Sequence, residues 1–141
     1  MDHVVYLDVK ADELKNILKG SKTMILRGAA GRKLPHGRVN PGDTLYFLQN
    51  DGSAEIRAKA TVSSVLNSDK LTPEESEQLI TDHQEALQFT PAQFKRWAGK
   101  RYLVLIGLEA VSEVEPFTID RSSYGNMDDW LPVGEIEAVM I

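Results

Sequence analysis

The residues best suited to bind an anion lie in one segment that contains no acidic residue. This segment lies between Glu13 and Asp43, and it carries 7 of the 16 lysine and arginine residues of the chain. Within it, Lys22 and Arg27 stand at either end of a short, mainly apolar stretch. An arginine guanidinium can grip a phosphate with two parallel N–H groups, and a lysine ammonium adds a point charge. The pattern predicts an anion-binding site at Lys22 and Arg27. The alternatives are two ordinary solvated charges, or an Arg27 that is tied to a structural carboxylate.

A Gly- and Pro-rich loop is predicted over residues 28–42, and it carries Arg32, Lys33 and Arg38. Loops of this length without regular structure are often functional. Cations on such a loop suit contacts with a nucleic-acid backbone that do not depend on base sequence. An ordinary solvated loop fits the pattern equally well. The glycines match neither a P-loop nor a dinucleotide fingerprint, so we assign them to turns.

A second basic cluster is interleaved with aromatic residues, and it comprises Lys95, Arg96, Lys100 and Arg101. Exposed aromatic rings at Phe94 and Trp97 could stack on bases. Their spacing places both rings on one face of a helix, which favours core packing over stacking. Lys95 and Arg96 are expected to flank the site.

Composition argues against several other classes of protein. The chain has 141 residues and no cysteine, which excludes disulfides and thiolate metal sites. The three histidines are too scattered for a metal site, so no metal is expected. No cofactor is expected either, since the phosphate-binding and dinucleotide motifs are absent. No apolar run approaches the roughly 20 residues of a membrane helix, and no signal peptide is evident. We therefore expect a cytoplasmic protein that does not contact a membrane. The net charge of −5 argues against a nucleic-acid coat protein, but the uneven charge distribution leaves local anion binding open.

The elements that must position these residues follow from hydrophobic patterning and helix-start signals. Strands are predicted at residues 4–9, 23–26, 44–48, 54–66 and 102–114, and residues 136–141 are a candidate last strand. Helices are predicted after a cap at Asp12 and after capping boxes at Thr72 and Thr90. Because strands joined by hairpins dominate, the predicted class is α+β, with a curved or barrel-like antiparallel sheet and helices at its side. We interpret residues 1–141 as one domain.

The order of motifs adds a family resemblance. A helix leads into Gly20-Ser21-Lys22-Thr23, a strand ends at Arg27, and a basic loop ends in Pro41-Gly42-Asp43 before the next strand. This arrangement resembles the ASCH family of the PUA-like superfamily. The resemblance implies a PUA-like antiparallel β-barrel with flanking helices and a cleft beside the first helix. Members of that family are thought to bind RNA or nucleotides, and a few hydrolyse modified nucleosides or RNA.

One position departs from the family pattern. The chain has Ile25 where the family signature has Glu and where the family's acetylated-cytidine amidohydrolases have a catalytic Thr. The leading hypothesis is therefore binding of RNA or a nucleotide, and whether the protein is an enzyme stays open. The residues expected to contact the ligand are Lys22, Thr23, Arg27, Arg32, Lys33, Arg38, Lys95 and Arg96.

Two alternatives remain at this stage. A hydrolase of modified nucleosides or RNA would use Lys22 as general base, since a desolvated lysine can act as a base at neutral pH. A nearby carboxylate such as Asp43 or Glu55 would have to cooperate with it. A protein-interaction module would instead use the acidic helix that begins at Thr72.

Overall fold

The computed structural model describes residues 1–125 and 129–141. Within these ranges the strands are β1 (Asp2–Leu7), β2 (Met24–Ala29), β3 (Thr44–Gln49), β4 (Glu55–Asn67), β5 (Tyr102–Thr118) and β6 (Trp130–Gly134). The helices are α1 (Glu13–Leu18), α2 (Pro73–Asp82), α3 (Gln84–Leu87) and α4 (Pro91–Trp97), and a 3₁₀ helix spans Ile136–Ala138. No described helix is long and apolar enough to span a bilayer.

The six strands form one sheet in the order β2-β5-β4-β3-β1-β6. The sheet curls into a half-barrel with helices at its side, which confirms the predicted α+β class. One detail differs from an all-antiparallel sheet, because β1 and β3 run parallel, with Val4 opposite Tyr46. The two strands at the ends of this order, β2 and β6, leave a seam between them.

The long strand β4 shows why the sheet forms where the sequence predicts it. Ile56, Ala58 and Ala60 are buried, whereas Arg57 and Lys59 between them are exposed. This alternation matches the two-residue period of a strand with one face in the core. The core inside the half-barrel is formed by apolar residues from most of the strands and from α1.

Local signals set the starts of α2 and α4 as predicted. Thr72 and Thr90 each accept a hydrogen bond from the backbone N–H three residues later, in complete capping boxes. Asp12 does not act as the predicted side-chain cap of α1, because its backbone is left-handed with φ 53°. Instead, Glu13 folds back and accepts a hydrogen bond from the Asp8 N–H at 2.8 Å.

The prediction of a last strand over residues 136–141 was wrong. A 3₁₀ helix begins at Ile136, and Ile136 and Val139 are both buried. Met140 makes a single β-bridge to Ile119. The last strand is β6, which contains Pro132. Proline has no N–H for a strand ladder and is tolerated at a sheet edge, which is where β6 lies.

Candidate functional site

An open cleft of about 620 Å³ lies at the seam of the half-barrel. Its walls come from the end of β1 and the connection to α1, from α4, from the β3–β4 turn and from the chain before β6. The lining residues are Tyr6, Leu7, Asp8, Val9, Lys10, Glu13, Arg27, Asn50, Asp51, Gln93, Arg96, Trp97, Arg121 and Asp129. The volume is in the range of small-molecule binding sites.

Arg27 forms the floor of this cleft. Its side chain leaves β2 and donates a hydrogen bond from Nη2 to the backbone oxygen of Tyr6 on β1, at 2.7 Å. Its Nε lies 3.3 Å from the Asp129 carboxylate, and its guanidinium lies 6.0 Å from the ring centres of both Trp97 and Trp130. Since β2 and β1 are not neighbours in the sheet, Arg27 joins its two sides across the seam.

The Arg27 guanidinium retains hydrogen-bonding capacity. Arg27 is 7% exposed, and its buried Nε makes no well-directed hydrogen bond to any described residue. An unsatisfied buried N–H costs free energy, and a ligand oxygen placed before it would recover that cost. The floor of the cleft therefore offers a fixed cation whose Nε–H lies beside Asp129 without a well-directed hydrogen bond among the described residues.

Lys22 and Glu13 form a buried ion pair beside the floor. The Lys22 Nζ lies 3.3 Å from the Glu13 carboxylate, donates to the backbone oxygen of Leu87 and lies 4.9 Å from the ring centre of Phe89. The two charged residues are 2% and 5% exposed. Burial lowers the pKa of Lys22, the neighbouring Glu13 opposes this change, and the Arg27 cation adds to it. Glu13 lines the cleft, whereas Lys22 lies behind it.

The rim of the cleft carries both signs of charge. Lys10 and Arg96 are exposed, and the Arg96 guanidinium lies 4.4 Å from the ring centre of Trp97. Arg121 lies 5.0 Å from the ring centre of Tyr6. Four carboxylates also line the cleft, namely Asp8, Glu13, Asp51 and Asp129. The cleft therefore carries mixed charge rather than positive charge alone. Its cations can bind an anion, its carboxylates can accept from N–H or O–H donors, and its aromatic rings can contact a planar group.

The structure places the other sequence-predicted site residues around this cleft. Thr23 is exposed, and its backbone N–H donates to Ala86 at the side of α3. Lys95 is exposed on α4 but does not line the cleft. Arg32, Lys33 and Arg38 are exposed on the β2–β3 connection. Of the eight predicted residues, Arg27 and Arg96 meet in the cleft, Lys22 lies behind it, and the loop residues lie on the other side of Arg27.

The two carboxylates expected to assist Lys22 have other partners. Asp43 accepts hydrogen bonds from His3 Nε2 at 2.9 Å and from the Asn40 N–H at 3.0 Å. The indole N–H of Trp130 donates to His3 Nδ1 at 3.0 Å, so His3 is neutral with its proton on Nε2. Glu55 pairs with Arg57 on the sheet surface. The carboxylate beside Lys22 is Glu13, and Asp43 ties the loop before β3 to β1 and β6.

Sequence reasoning missed several residues of the cleft. Glu13 appeared only as the boundary of the acid-free segment, and Tyr6, Arg121 and Asp129 carried no local signal. Ile25, where the family signature has a polar residue, is fully buried in the core. The position therefore contributes apolar packing and no reactive group.

Comparison with known proteins adds information about the fold. No family model and no curated protein sequence matches the chain. A crystal structure of ASCH from Zymomonas mobilis resembles it with a TM-score of 0.67 and 14% identity, over 92% of this chain and 85% of that chain. A mutant of that protein gives the same TM-score and identity, over 92% of this chain and 87% of that chain.

The solved structure of a second protein also has a similar fold. The N-terminal domain of McrB from Staphylothermus marinus resembles the chain with a TM-score of 0.55 and 11% identity, over 98% of this chain and 92% of that chain. Identities this low bear on the fold alone. The predicted fold is confirmed: the chain has an ASCH-like α+β fold.

Proposed function

We propose that this protein binds a nucleotide, free or within RNA, in the cleft at the seam of the half-barrel. The observation that carries the proposal is the Arg27 guanidinium on the cleft floor. It lies 6.0 Å from the ring centres of Trp97 and Trp130, and one of its N–H groups lacks a well-directed acceptor among the described residues. A nucleotide combines an anionic phosphate, a planar base and polar base edges. The cleft offers a matching group for each of the three.

The cations suit the phosphate. Arg27 supplies a buried guanidinium, and Arg96 and Lys10 supply exposed cations at the rim. A buried charge is screened less by salt and water than an exposed one, so Arg27 contributes more to affinity per contact. The rim cations contribute chiefly to the salt dependence of binding.

The remaining groups suit the base. Tyr6 and Trp97 both line the cleft, so a planar base could pack against the part of either ring that faces it. At a base edge, the Asp129 carboxylate can accept hydrogen bonds. The Gln93 side-chain NH₂ can donate, since its oxygen already accepts from the Thr90 N–H. An ASCH-like, PUA-like fold is also compatible with nucleic-acid binding in general.

The test compares ligands small enough to fill only the cleft. Binding of ribonucleoside monophosphates and RNA dinucleotides is measured by titration calorimetry for the wild type, Arg27→Lys and Arg96→Gln. Arg27→Lys keeps the charge and loses the planar fork, so we expect at least tenfold weaker binding. Arg96→Gln removes one exposed cation and should reduce the slope of log affinity against log salt by about 0.7.

The matched control is Lys59→Gln, which removes an exposed cation from the surface of β4, away from the cleft. It should bind like the wild type. If every ligand fails to bind the folded wild type, or if Arg27→Lys binds as tightly as the wild type, the proposal is wrong.

A second candidate function is hydrolysis of a modified nucleoside or of RNA. It is favoured by the lowered pKa of Lys22 and by the Glu13 carboxylate, which reaches both Lys22 and the cleft. The burial of Lys22 behind Glu13 argues for a structural ammonium instead. Incubation with acylated cytidines and with labelled RNA decides between them. Turnover by the purified wild type would establish the enzyme, and absence of turnover of both substrates would refute this candidate.

A further inference from the structure

Three segments of the chain meet at one end of the sheet, next to the cleft. They are the β2–β3 connection, the end of β4 with the residues after it, and the start of β5. His36 Nε2 donates to the backbone oxygen of Ser68 at 2.9 Å, and the Gly37 N–H donates to the Asn67 side chain at 2.9 Å. The His36 ring also packs edge-on against Tyr102, with ring centres 5.7 Å apart. These contacts hold the loop against the sheet, so the backbone that carries its cations is fixed in position.

This end of the sheet is strongly basic. Within residues 28–38, 67–71 and 98–102 there is one acidic residue, Asp69, against six lysines and arginines. All six are exposed, and we call them the basic end patch: Arg32, Lys33, Arg38, Lys70, Lys100 and Arg101. The whole chain has a net charge of −5, so this concentration of one sign stands against a surface that is acidic elsewhere. A patch of this kind attracts a polyanion, because almost no negative charge within it would repel the phosphates.

The basic end patch is continuous with the cleft through Arg27. A small depression beside the patch is lined by Arg27, Gly28, Lys33 and Tyr102, among others. Arg27 therefore contributes to both the cleft and the depression. At the patch, the Arg32 guanidinium lies 5.6 Å from the ring centre of Tyr102, which is half-buried. Cations and an aromatic ring thus continue from the cleft across the end of the sheet.

We propose that the basic end patch binds the sugar-phosphate backbone of a single-stranded nucleic acid, one nucleotide of which occupies the cleft. This inference rests on the proposed function and narrows it, because the ligand becomes a polynucleotide rather than a free nucleotide. The continuity with a cleft suited to a base favours a single strand over an acidic protein or a membrane surface. Backbone contacts of this kind add affinity without base specificity.

The expected size of the effect follows from counterion release. Each phosphate contact on a single strand contributes about 0.7 to the slope of log affinity against log salt. Engagement of three patch cations therefore adds about 2 to the slope, which weakens binding roughly 20-fold between 50 and 200 mM salt. A ligand confined to the cleft lacks this contribution.

The experiment measures filter binding of an RNA dinucleotide and an RNA dodecanucleotide over that salt range. The patch variant combines Lys70→Gln, Lys100→Gln and Arg101→Gln. The matched control combines Lys15→Gln, Lys19→Gln and Lys59→Gln, which removes the same charge from exposed positions on α1, its C-terminal end and β4. Since all six positions are exposed, both variants are expected to keep the wild-type fold, which circular dichroism checks.

The expected result is a dodecanucleotide that binds the wild type at least tenfold more tightly than the dinucleotide. The patch variant should lose this length dependence and about 2 units of salt slope, with unchanged dinucleotide affinity, and the control should retain both. The inference is overturned if the wild type binds both lengths equally, if the patch variant and the control behave alike, or if vesicles of phosphatidylserine compete fully with the dodecanucleotide. Dinucleotide binding that survives such an outcome leaves the proposed function standing, whereas loss of all binding refutes both.

Discussion

Replacement of Lys22 by methionine removes a buried ammonium while it keeps an unbranched side chain at the same site. The Glu13 carboxylate, 5% exposed, would then keep the hydrogen bond from the Asp8 N–H and lose its cation. A buried charge without a counter-charge is costly, because neither water nor a partner compensates it. We therefore expect Lys22→Met to destabilise the fold strongly.

The magnitude follows from the geometry of the pair. Unit charges 3.3 Å apart attract by about 5 kcal/mol at an effective dielectric constant of about 20. Desolvation of both groups offsets part of this, yet removal of one partner leaves the other's desolvation in place. The expected loss in the free energy of unfolding is about 3–5 kcal/mol. With a urea m-value of about 2 kcal/mol/M, the unfolding midpoint would fall by about 2 M.

A double-mutant cycle in urea measures this coupling. Glu13→Gln keeps an oxygen for the Asp8 N–H and removes the negative charge. Lys22→Met with Glu13→Gln should be more stable than Lys22→Met alone, because no buried charge is left unpaired. An unchanged midpoint for Lys22→Met, or a double variant no more stable than this single one, would refute the account of the ion pair.

The same pair has a signature at alkaline pH. Burial holds the pKa of Lys22 below its usual value of 10.5, so the unfolded chain binds a proton more tightly than the folded protein does. Between the two pKa values the wild type therefore gains stability as the pH rises. Lys22→Met lacks this contribution, so its deficit relative to the wild type should widen over that window. A constant deficit would argue that Lys22 titrates normally in the fold.

Three further predictions test the elements that support the cleft. Thr90→Ala removes the hydroxyl that caps α4 and should cost about 1 kcal/mol, seen as a lower urea midpoint; no change would mean that the cap contributes nothing to stability. Trp130→Phe keeps a ring but deletes the N–H that His3 Nδ1 accepts, with an expected loss of about 1–3 kcal/mol in the same assay, and a neutral result would contradict the tautomer assigned to His3. Burial raises the pKa of Asp43, but hydrogen bonds from His3 and the Asn40 N–H outweigh this and hold that pKa below its usual value of 3.8. The carboxylate therefore stabilises the fold above its unfolded pKa, and this contribution disappears as the pH falls through the folded pKa. The gap in thermal midpoint between wild type and Asp43→Asn should shrink on acidification, and a gap that persists in strong acid would count against this.

The parts of the fold that the sequence predicted well depend on neighbours in the chain. The capping boxes at Thr72 and Thr90 need only the next three residues, and the alternation in β4 needs only its own period. The motif from Gly20 to Arg27, followed by Asp43, was enough for the family resemblance and hence for the ASCH-like fold. Trp97 was correctly expected to pack in the core, although it also lines the cleft.

The parts that escaped prediction depend on contacts between distant segments. Arg27 was predicted as a site residue, but its partners Tyr6 and Asp129 lie far from it in sequence. The same holds for Lys22, whose carboxylate partner depends on how the chain turns between α1 and β2. Strand β6 was not predicted because it contains Pro132, and a proline fits a strand only where that strand lies at the edge of the sheet. Spacing along the chain carries no information on any of these contacts.

Arg27 has one consequence for how binding and folding influence each other. The half-barrel holds its seam at this point by a side chain bonded to Tyr6 and paired with Asp129, not by a ladder between β2 and β1. A ligand oxygen that replaces Asp129 on the guanidinium alters the free energy of that closure. By thermodynamic reciprocity, whatever tightens or loosens the seam changes ligand affinity by the same factor. If the proposed ligand binds at Arg27, its occupancy of the cleft and the closure of the seam therefore form one coupled equilibrium.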